Sequence, residues 1–370
     1  MSKRQRRAAA LMAAAAVVIV SAAAIYLRSS GGAPPKSPSR TAPDRSTVSS
    51  IPVMYDFVTP SLGWAVESPL EPTSALAVFK TTDGGKHWNQ QLVRPTSSAF
   101  PVEFGVQFVD PLHGFIAAGA PYLQLFITSD GGGTWAQAAL PLDSRQFDGI
   151  AFIDTSNGWL LGRSFQRPVL YSTENAGATW RRLSTPGDAF GITVRDSGEG
   201  WLGTNISGVP HVYLTTDGGA TWQRHDLPPP PGISWNVGDS GGSPIVKTNV
   251  QVLPQQGVVA VVDNGSSTKY EFRSFNRGAT WSFVPSPPGR VGYEDSLHWW
   301  AMQGTSLFKS ADAGQTWIEV TNALVDWQAT PQIIDANHAW AQVVVVGGYG
   351  LAGTTDGGLH WNRSQVPLVN

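Results

Sequence analysis

None of the 370 residues is a cysteine. That absence excludes disulfide staples, thiolate metal sites, a cysteine nucleophile and a lipidated N-terminal cysteine. Charge is also scarce: 14% of residues are Asp, Glu, Lys or Arg, and they sum to a net charge of −2. A nucleic-acid partner needs a basic face, which so balanced a chain does not suggest. No His-Glu-x-x-His, Gly-x-Ser-x-Gly or phosphate-cradling glycine loop occurs, so the signatures of zinc-protease, serine-hydrolase and nucleotide chemistry are missing. No metal site and no cofactor is implied. Long apolar runs are missing too, apart from one at the N-terminus.

Gly (40), Pro (27) and Trp (15) are plentiful. Seven of the tryptophans close the same eight-residue template, S/T-x-D/N-x-G-x-T/H-W, at 81–88, 128–135, 173–180, 215–222, 274–281, 310–317 and 354–361. A recurrence of roughly 40–50 residues marks a repeat architecture. The third template residue is Asp83, Asp130, Asn175, Asp217, Asn276, Asp312 or Asp356. An Asp or Asn there accepts hydrogen bonds from backbone N–H groups further on and closes a turn. The Ser or Thr hydroxyl adds local bonds, the fixed Gly supplies a positive φ, and the Trp carries apolar area into the packing. Two of the seven are Asn, which makes the same bonds but is a poor acid, so the position reads as structural.

A second motif precedes each template. Phe108-Val109-Asp110 leads to Gly114-Phe115, Phe152-Ile153-Asp154 to Gly158-Trp159, and Val194-Arg195-Asp196 to Gly200-Trp201. In the fifth unit it has decayed to Val250-Gln251-Val252 and Gly257-Val258. Each unit then holds two turns and four short β-rich runs, the pattern of a propeller blade. The spacing predicts an all-β fold, a seven-bladed β-propeller of four-stranded blades over residues 51–370. The first unit opens on its own innermost strand and the last ends on its own fourth, so no strand need be exchanged. His113, His298 and His338 recur in one turn position and His87 and His360 in another, which points to turn chemistry and away from metal ligation.

Ahead of the repeats, residues 1–7 are basic and residues 8–27 run without a charge. Twenty apolar residues match the length of a membrane-spanning helix, and the basic flank orients it N-terminus inward. Two outcomes compete: a retained single-span anchor, or a signal peptide cleaved near Ala22-Ala23-Ala24. The extension through Ile25-Tyr26-Leu27 favours the anchor. Residues 28–50, rich in Ser, Pro and Gly, read as a disordered tether. The domains expected are therefore 1–27 as anchor or signal segment, 28–50 as tether and 51–370 as propeller. The propeller is expected outside the cytoplasm, monomeric, and secreted if the N-terminus is cleaved.

Both repeated turns fall on one face of such a propeller, and the variable connections gather on the other, where binding is usually built. The longest connection, about 226–247, carries the isolated Trp235. The candidate binding residues on this face are Glu103, Phe104, Asp148, Arg163, Arg167, Phe190, Trp235 and Arg290. Phe104, Asp148 and Phe190 start three successive innermost strands beside the channel mouth. A rim of aromatics, arginines and carboxylates suits a protein segment or a glycan. A two-carboxylate glycosidase needs its acid and base about 5–10 Å apart, and Glu103, Asp148 and Asp188 are the candidates for such a pair.

The eight-residue template resembles the Asp-box, or BNR, repeat of sialidases, sortilin-type receptors, xyloglucanase-type glycosidases and Ycf48/Hcf136-like photosystem II assembly factors, all β-propellers. Boxes such as Thr354-Thr355-Asp356-Gly357-Gly358, each preceded by a Phe-x-Asp…Gly-Trp turn, are most similar to the Ycf48/Hcf136-like family. That resemblance implies a non-catalytic binding or assembly scaffold with a protein partner. The alternative it leaves open is a glycoside hydrolase or glycan-binding protein of the sialidase/xyloglucanase-like group. Sialidases usually show Arg-Ile-Pro ahead of the first box; here Ser50-Ile51-Pro52 lacks the arginine.

Overall fold

The computed structural model describes residues 54–67, 75–95, 103–119, 123–140, 146–206, 208–235, 246–263, 269–285, 289–322, 330–345, 348–364 and 366. The expected anchor at 8–27, the tether at 28–50 and residues 236–245 of the long connection lie outside them. The described residues form twenty-eight strands and no helix.

The strands come in consecutive fours. The first run is β1 (Met54–Phe57), β2 (Gly63–Glu67), β3 (Ala75–Thr81) and β4 (Asn89–Pro95). The second is β5 (Glu103–Phe108), β6 (Gly114–Gly119), β7 (Leu123–Thr128) and β8 (Ala136–Gln137). The third is β9 (Gln146–Phe152), β10 (Gly158–Ser164), β11 (Arg167–Thr173) and β12 (Arg181–Leu183). The fourth is β13 (Ala189–Val194), β14 (Gly200–Ile206), β15 (His211–Thr215) and β16 (Gln223–Asp226). The fifth is β17 (Val246–Val252), β18 (Val258–Asp263), β19 (Lys269–Ser274) and β20 (Ser282–Val284). The sixth is β21 (Arg290–Tyr293), β22 (Trp299–Gln303), β23 (Ser306–Ser310) and β24 (Ile318–Asn322). The last is β25 (Gln332–Ile333), β26 (Ala339–Val345), β27 (Gly348–Thr354) and β28 (Asn362–Ser364).

Five antiparallel sheets hold one run each. The fourth and fifth runs share an eight-stranded sheet, because the end of β14 pairs with β17 from Thr204↔Thr248 to Ile206↔Val246. Gly203 makes this close approach possible: a Cβ there would lie 1.9 Å from the Thr248 carbonyl oxygen. Repeat spacing alone gives no sign of this join.

The boxes form as expected, and the fourth shows how. The Thr215 hydroxyl accepts the Gly219 N–H at 2.9 Å and donates to Asp217 at 2.7 Å. Asp217 accepts the Thr221 hydroxyl at 2.6 Å and the Thr221 N–H at 2.9 Å. Those bonds, the hydroxyl first, hold the Asp217 carboxyl down at about 2. Asn175 and Asn276 accept the Thr179 and Thr280 N–H groups in the same way. The structure adds a detail: the fourth box position is left-handed as well, even where it is Ala176, Arg277 or Ala313. All five turn histidines noted above place Nδ1 against their own turn's Asp at 2.6–2.9 Å.

Six of the seven boxes are tied by a backbone bond to their own leading turn, as in Gly84 N–H to Ser61 O at 2.9 Å and Gly131 N–H to Leu112 O at 2.7 Å. The decayed fifth unit is braced by its neighbours. Arg195 of the fourth run donates to the Leu253 and Gly257 carbonyls at 2.7 and 2.9 Å, and within the unit its own box's Arg277 reaches Gln256 at 3.0 Å. Glu199, held between Arg195 (2.7 Å) and Arg277 (2.9 Å), anchors both cations.

Neighbouring runs pack through stacked aromatics: Trp64 on Phe108 at 3.5 Å, Phe115 on Phe152 at 3.3 Å, and Trp340 on Phe57 at 3.9 Å between centroids. These rings explain the Gly of the Gly-aromatic motif, since a Cβ on Gly114 would sit 2.3 Å from the Phe108 ring. Between innermost strands, the Gln107 amide accepts the Phe152 N–H and donates to its carbonyl, both at 2.8 Å. Asp56 accepts the Phe108 N–H at 2.6 Å. Gln332 does the same work from the last run to the first, and Trp88 donates to Ser364 at 2.9 Å. First and last runs meet without exchanging a strand.

Candidate functional site

Antiparallel alternation puts both turns of every run at one end of the strands. The opposite end carries the hairpins between second and third strands and the connections between runs. β9 and β13 start there, and both carry a bulge. The β9–β10 register shifts between Leu161 and Gly162, which leaves Asp148 outside the ladder, and the β13–β14 register shifts after Phe190. Bulges re-aim side chains, and here they gather a polar cluster.

Arg163, near the end of β10, is its hub. Its Nε sits 2.7 Å from the buried Asp148 carboxylate. Its Nη2 donates to the Ala189 carbonyl at 3.2 Å and its Nη1 to Gln166 O at 3.3 Å. The guanidinium lies 5.8 Å from the Phe190 ring, and the Lys247 ammonium lies 5.1 Å from the same ring. Phe190 is thus flanked by two cations at cation–π range.

Beside this group, Asp188 Oδ2 lies 2.9 Å from Nε2 of the fully buried His211, whose Nδ1 faces the Val209 carbonyl at 2.8 Å. The Tyr213 hydroxyl stands 3.3 Å from the same Nε2. Burial opposes the charge on Asp188, but hydrogen bonds from His211 and Tyr213 prevail and hold its carboxyl below the usual range. Burial, and after it the Asp188 charge, pushes the Tyr213 hydroxyl up to about 12.

The β10–β11 hairpin projects next to the hub. Phe165 and Gln166 at its tip have φ of 47° and 72°, where Gly and Asn are the usual occupants of such two-residue turns. The Phe165 side chain is 78% exposed. Arg167 follows, exposed, with no carboxylate partner among the described residues. Strained, exposed tips of this kind tend to occur at binding surfaces.

The sequence candidates therefore separate. Asp148, Arg163 and Phe190 come together, and Arg167 stands on the same hairpin. Glu103 and Phe104 open β5 opposite Gly119 and Ala118, and their side chains lie outside the described residues. Arg290 is exposed at the start of β21. Trp235 is half-buried elsewhere: its indole donates to Leu227 O at 3.0 Å and meets Tyr270 edge-on at 5.6 Å, clipping the long connection to β19. Lys247, His211 and Tyr213 were not singled out by sequence. His211 had a signal, because with His225 it is one of two histidines outside the repeated turns. Lys247 had none, since it precedes the decayed motif.

A family model for the photosynthesis system II assembly factor YCF48 matches residues 95–227. No curated protein matches the sequence. Among solved structures, YCF48 bound to D1 peptide superposes with a TM-score of 0.54 at 17% identity, over 88% of this chain and 97% of that one. YCF48 from Cyanidioschyzon merolae gives 0.50 at 15% identity, over 86% and 96%. An ulvan lyase bound to a sulfated disaccharide repeat gives 0.52 at 11%, over 87% and 96%. At these identities the likeness is one of fold.

Proposed function

We propose that this chain, a Ycf48-like Asp-box (BNR) β-propeller, is a non-catalytic binding or assembly scaffold that takes a protein segment on its rim. In this reading its seven runs are seven blades, supported by the contacts that join the last run to the first. Residues 8–27 hold it, as a monomer, to a membrane with the propeller outside the cytoplasm.

The observation that carries the reading is the commitment of two of the three candidate rim carboxylates. Asp148 is locked to Arg163 at 2.7 Å and Asp188 to His211 at 2.9 Å. A glycosidase pair needs one carboxyl free to give a proton and another to attack or activate water. The exposed groups are Phe165 and Arg167, with the half-buried Lys247 over the Phe190 ring, and they suit a chain segment with apolar and acidic side chains. A relative of the same fold has been solved with a peptide bound.

The test uses full-length protein as bait in solubilised membranes, beside Arg167→Glu on the rim, Lys86→Glu on the opposite end, and a variant with 229–243 replaced by a Gly/Ser linker. A protein retained by the wild type and by Lys86→Glu but lost with Arg167→Glu supports the scaffold, and its loss with the linker variant extends the site to the long connection. No captured protein, together with binding on a glycan array, replaces this reading with the glycan-directed alternative.

A further inference from the structure

The long connection after β16 opens with Leu227-Pro228-Pro229-Pro230-Pro231. A proline ring fixes φ near −65°, and a residue that precedes proline is pushed to an extended ψ of about +120 to +160°. Pro228, Pro229 and Pro230 meet both conditions, so covalent geometry alone puts them in a polyproline II helix. The helix stops at a tight turn. The Ile233 N–H donates to Pro230 O at 3.0 Å, with Pro231 and Gly232 between them and Gly232 at a φ of 77°. Proline second and glycine third is the type II arrangement.

Polyproline II repeats every three residues, and burial follows that period. Leu227 and Pro230 are buried, whereas Pro228, Pro229 and Pro231 are exposed. The buried edge is clamped. The Leu227 N–H donates to Pro210 O at 2.9 Å, and its carbonyl accepts the Trp235 indole at 3.0 Å. One edge of the helix is thus fixed to the domain and the other two are offered. The Pro228 and Pro229 carbonyls have no donor among the described residues. A cleft of about 470 Å³, walled by His225, Ala279 and Trp281, opens beside Pro228.

We propose that residues 227–231 form a second interaction surface, a rigid Pro-x-x-Pro ridge read by a protein module whose groove is lined with Trp and Tyr rings. Grooves of that kind seat exposed proline rings of a preformed polyproline II helix. The ridge is already stiff, so little chain entropy is lost when it is gripped. Its free carbonyls select the same partner, because indole and phenol groups can donate to them. A purely apolar surface would cover both carbonyls and leave them unpaired. The cleft beside Pro228 gives room for one wall of the groove to close over the ridge. This surface is separate from the cluster around Arg163 and does not rest on the scaffold reading.

The probe is a fluorescently labelled WW domain of the kind that reads uninterrupted proline runs, titrated with full-length protein in detergent micelles. Wild type is compared with Pro228→Ala/Pro231→Ala, with Pro229→Glu and with Lys86→Glu at the box end. Pro229→Glu charges an exposed position and leaves the clamped Leu227–Pro230 edge in place, so it reads the surface even where the double variant loosens the connection. The expected result is saturable binding by wild type and Lys86→Glu, competed by a decaproline peptide, and at least tenfold weaker in both proline variants. A wild type that the WW domain ignores, or proline variants that bind as well as wild type, overturns the proposal and leaves the prolines as stiffeners of the connection.

Discussion

The amide of Gln332 grips the backbone of Phe57 across 275 positions of sequence, accepting its N–H at 2.9 Å and donating to its carbonyl at 3.2 Å. It also donates to Asp56 at 2.7 Å. An exchanged strand would close the ring with a ladder of main-chain bonds; here one side chain supplies the equivalent. Gln332→Leu is expected to cost about 2–4 kcal/mol, because it leaves buried partners unsatisfied. Urea unfolding checks this: the midpoint should fall well below that of a variant at exposed Arg167.

Gly114 tests the aromatic stacks. A methyl group there must displace Phe108, itself stacked on Trp64. Gly114→Ala should destabilise by about 1–3 kcal/mol, the usual range for overpacking. An unchanged melting temperature would show that the ring yields freely.

In the boxes, the hydroxyl matters more than the carboxylate. Thr215→Val keeps shape but strands the buried Gly219 N–H, at a cost of about 1–3 kcal/mol. Asp217→Asn should barely move the unfolding midpoint, since Asn175 and Asn276 already build the same turn. Urea titrations of the two variants side by side would separate the roles.

The Glu271–Tyr293 pair predicts a pH dependence. The Tyr293 hydroxyl donates to Glu271 at 2.8 Å, yet burial prevails and pushes the carboxyl up from 4.5 to about 7. Between those values the folded protein holds more protons than the unfolded chain, so stability is greatest below pH 4.5 from this group and falls as pH rises toward 7. The loss is on the order of 3 kcal/mol. Asp56, raised by burial to about 6, acts in the same direction at lower pH. Melting temperature should therefore decline from pH 6 to pH 7.5 in the wild type, and Glu271→Gln, which keeps an acceptor for Tyr293, should flatten that decline.

The boxes were legible because all of their chemistry lies within eight residues: Thr, Asp, Gly and Trp bond to one another locally. The strands between them followed from the spacing. Contacts between runs were not legible in the same way. Asp148 and Arg163 were both singled out, but their pairing depends on a bulge that no residue pattern announces. Arg195 sits where five of the other six leading turns carry an apolar residue, and its service to the fifth run is visible only once Leu253 and Gly257 are beside it. Trp235 drew notice for its isolation, and it proved to be packed against Tyr270.

The closing seam has a consequence for how the chain is made. The first run is synthesised first, yet the ring that covers Phe57 belongs to Trp340. Until the last run emerges, the first carries an uncovered aromatic flank and an open hydrogen-bonding edge. The last run of a second molecule fits that edge as well as its own does, so crowded nascent or exported chains have a ready route to swapped dimers. Chains truncated before Gln332 keep the flank permanently bare.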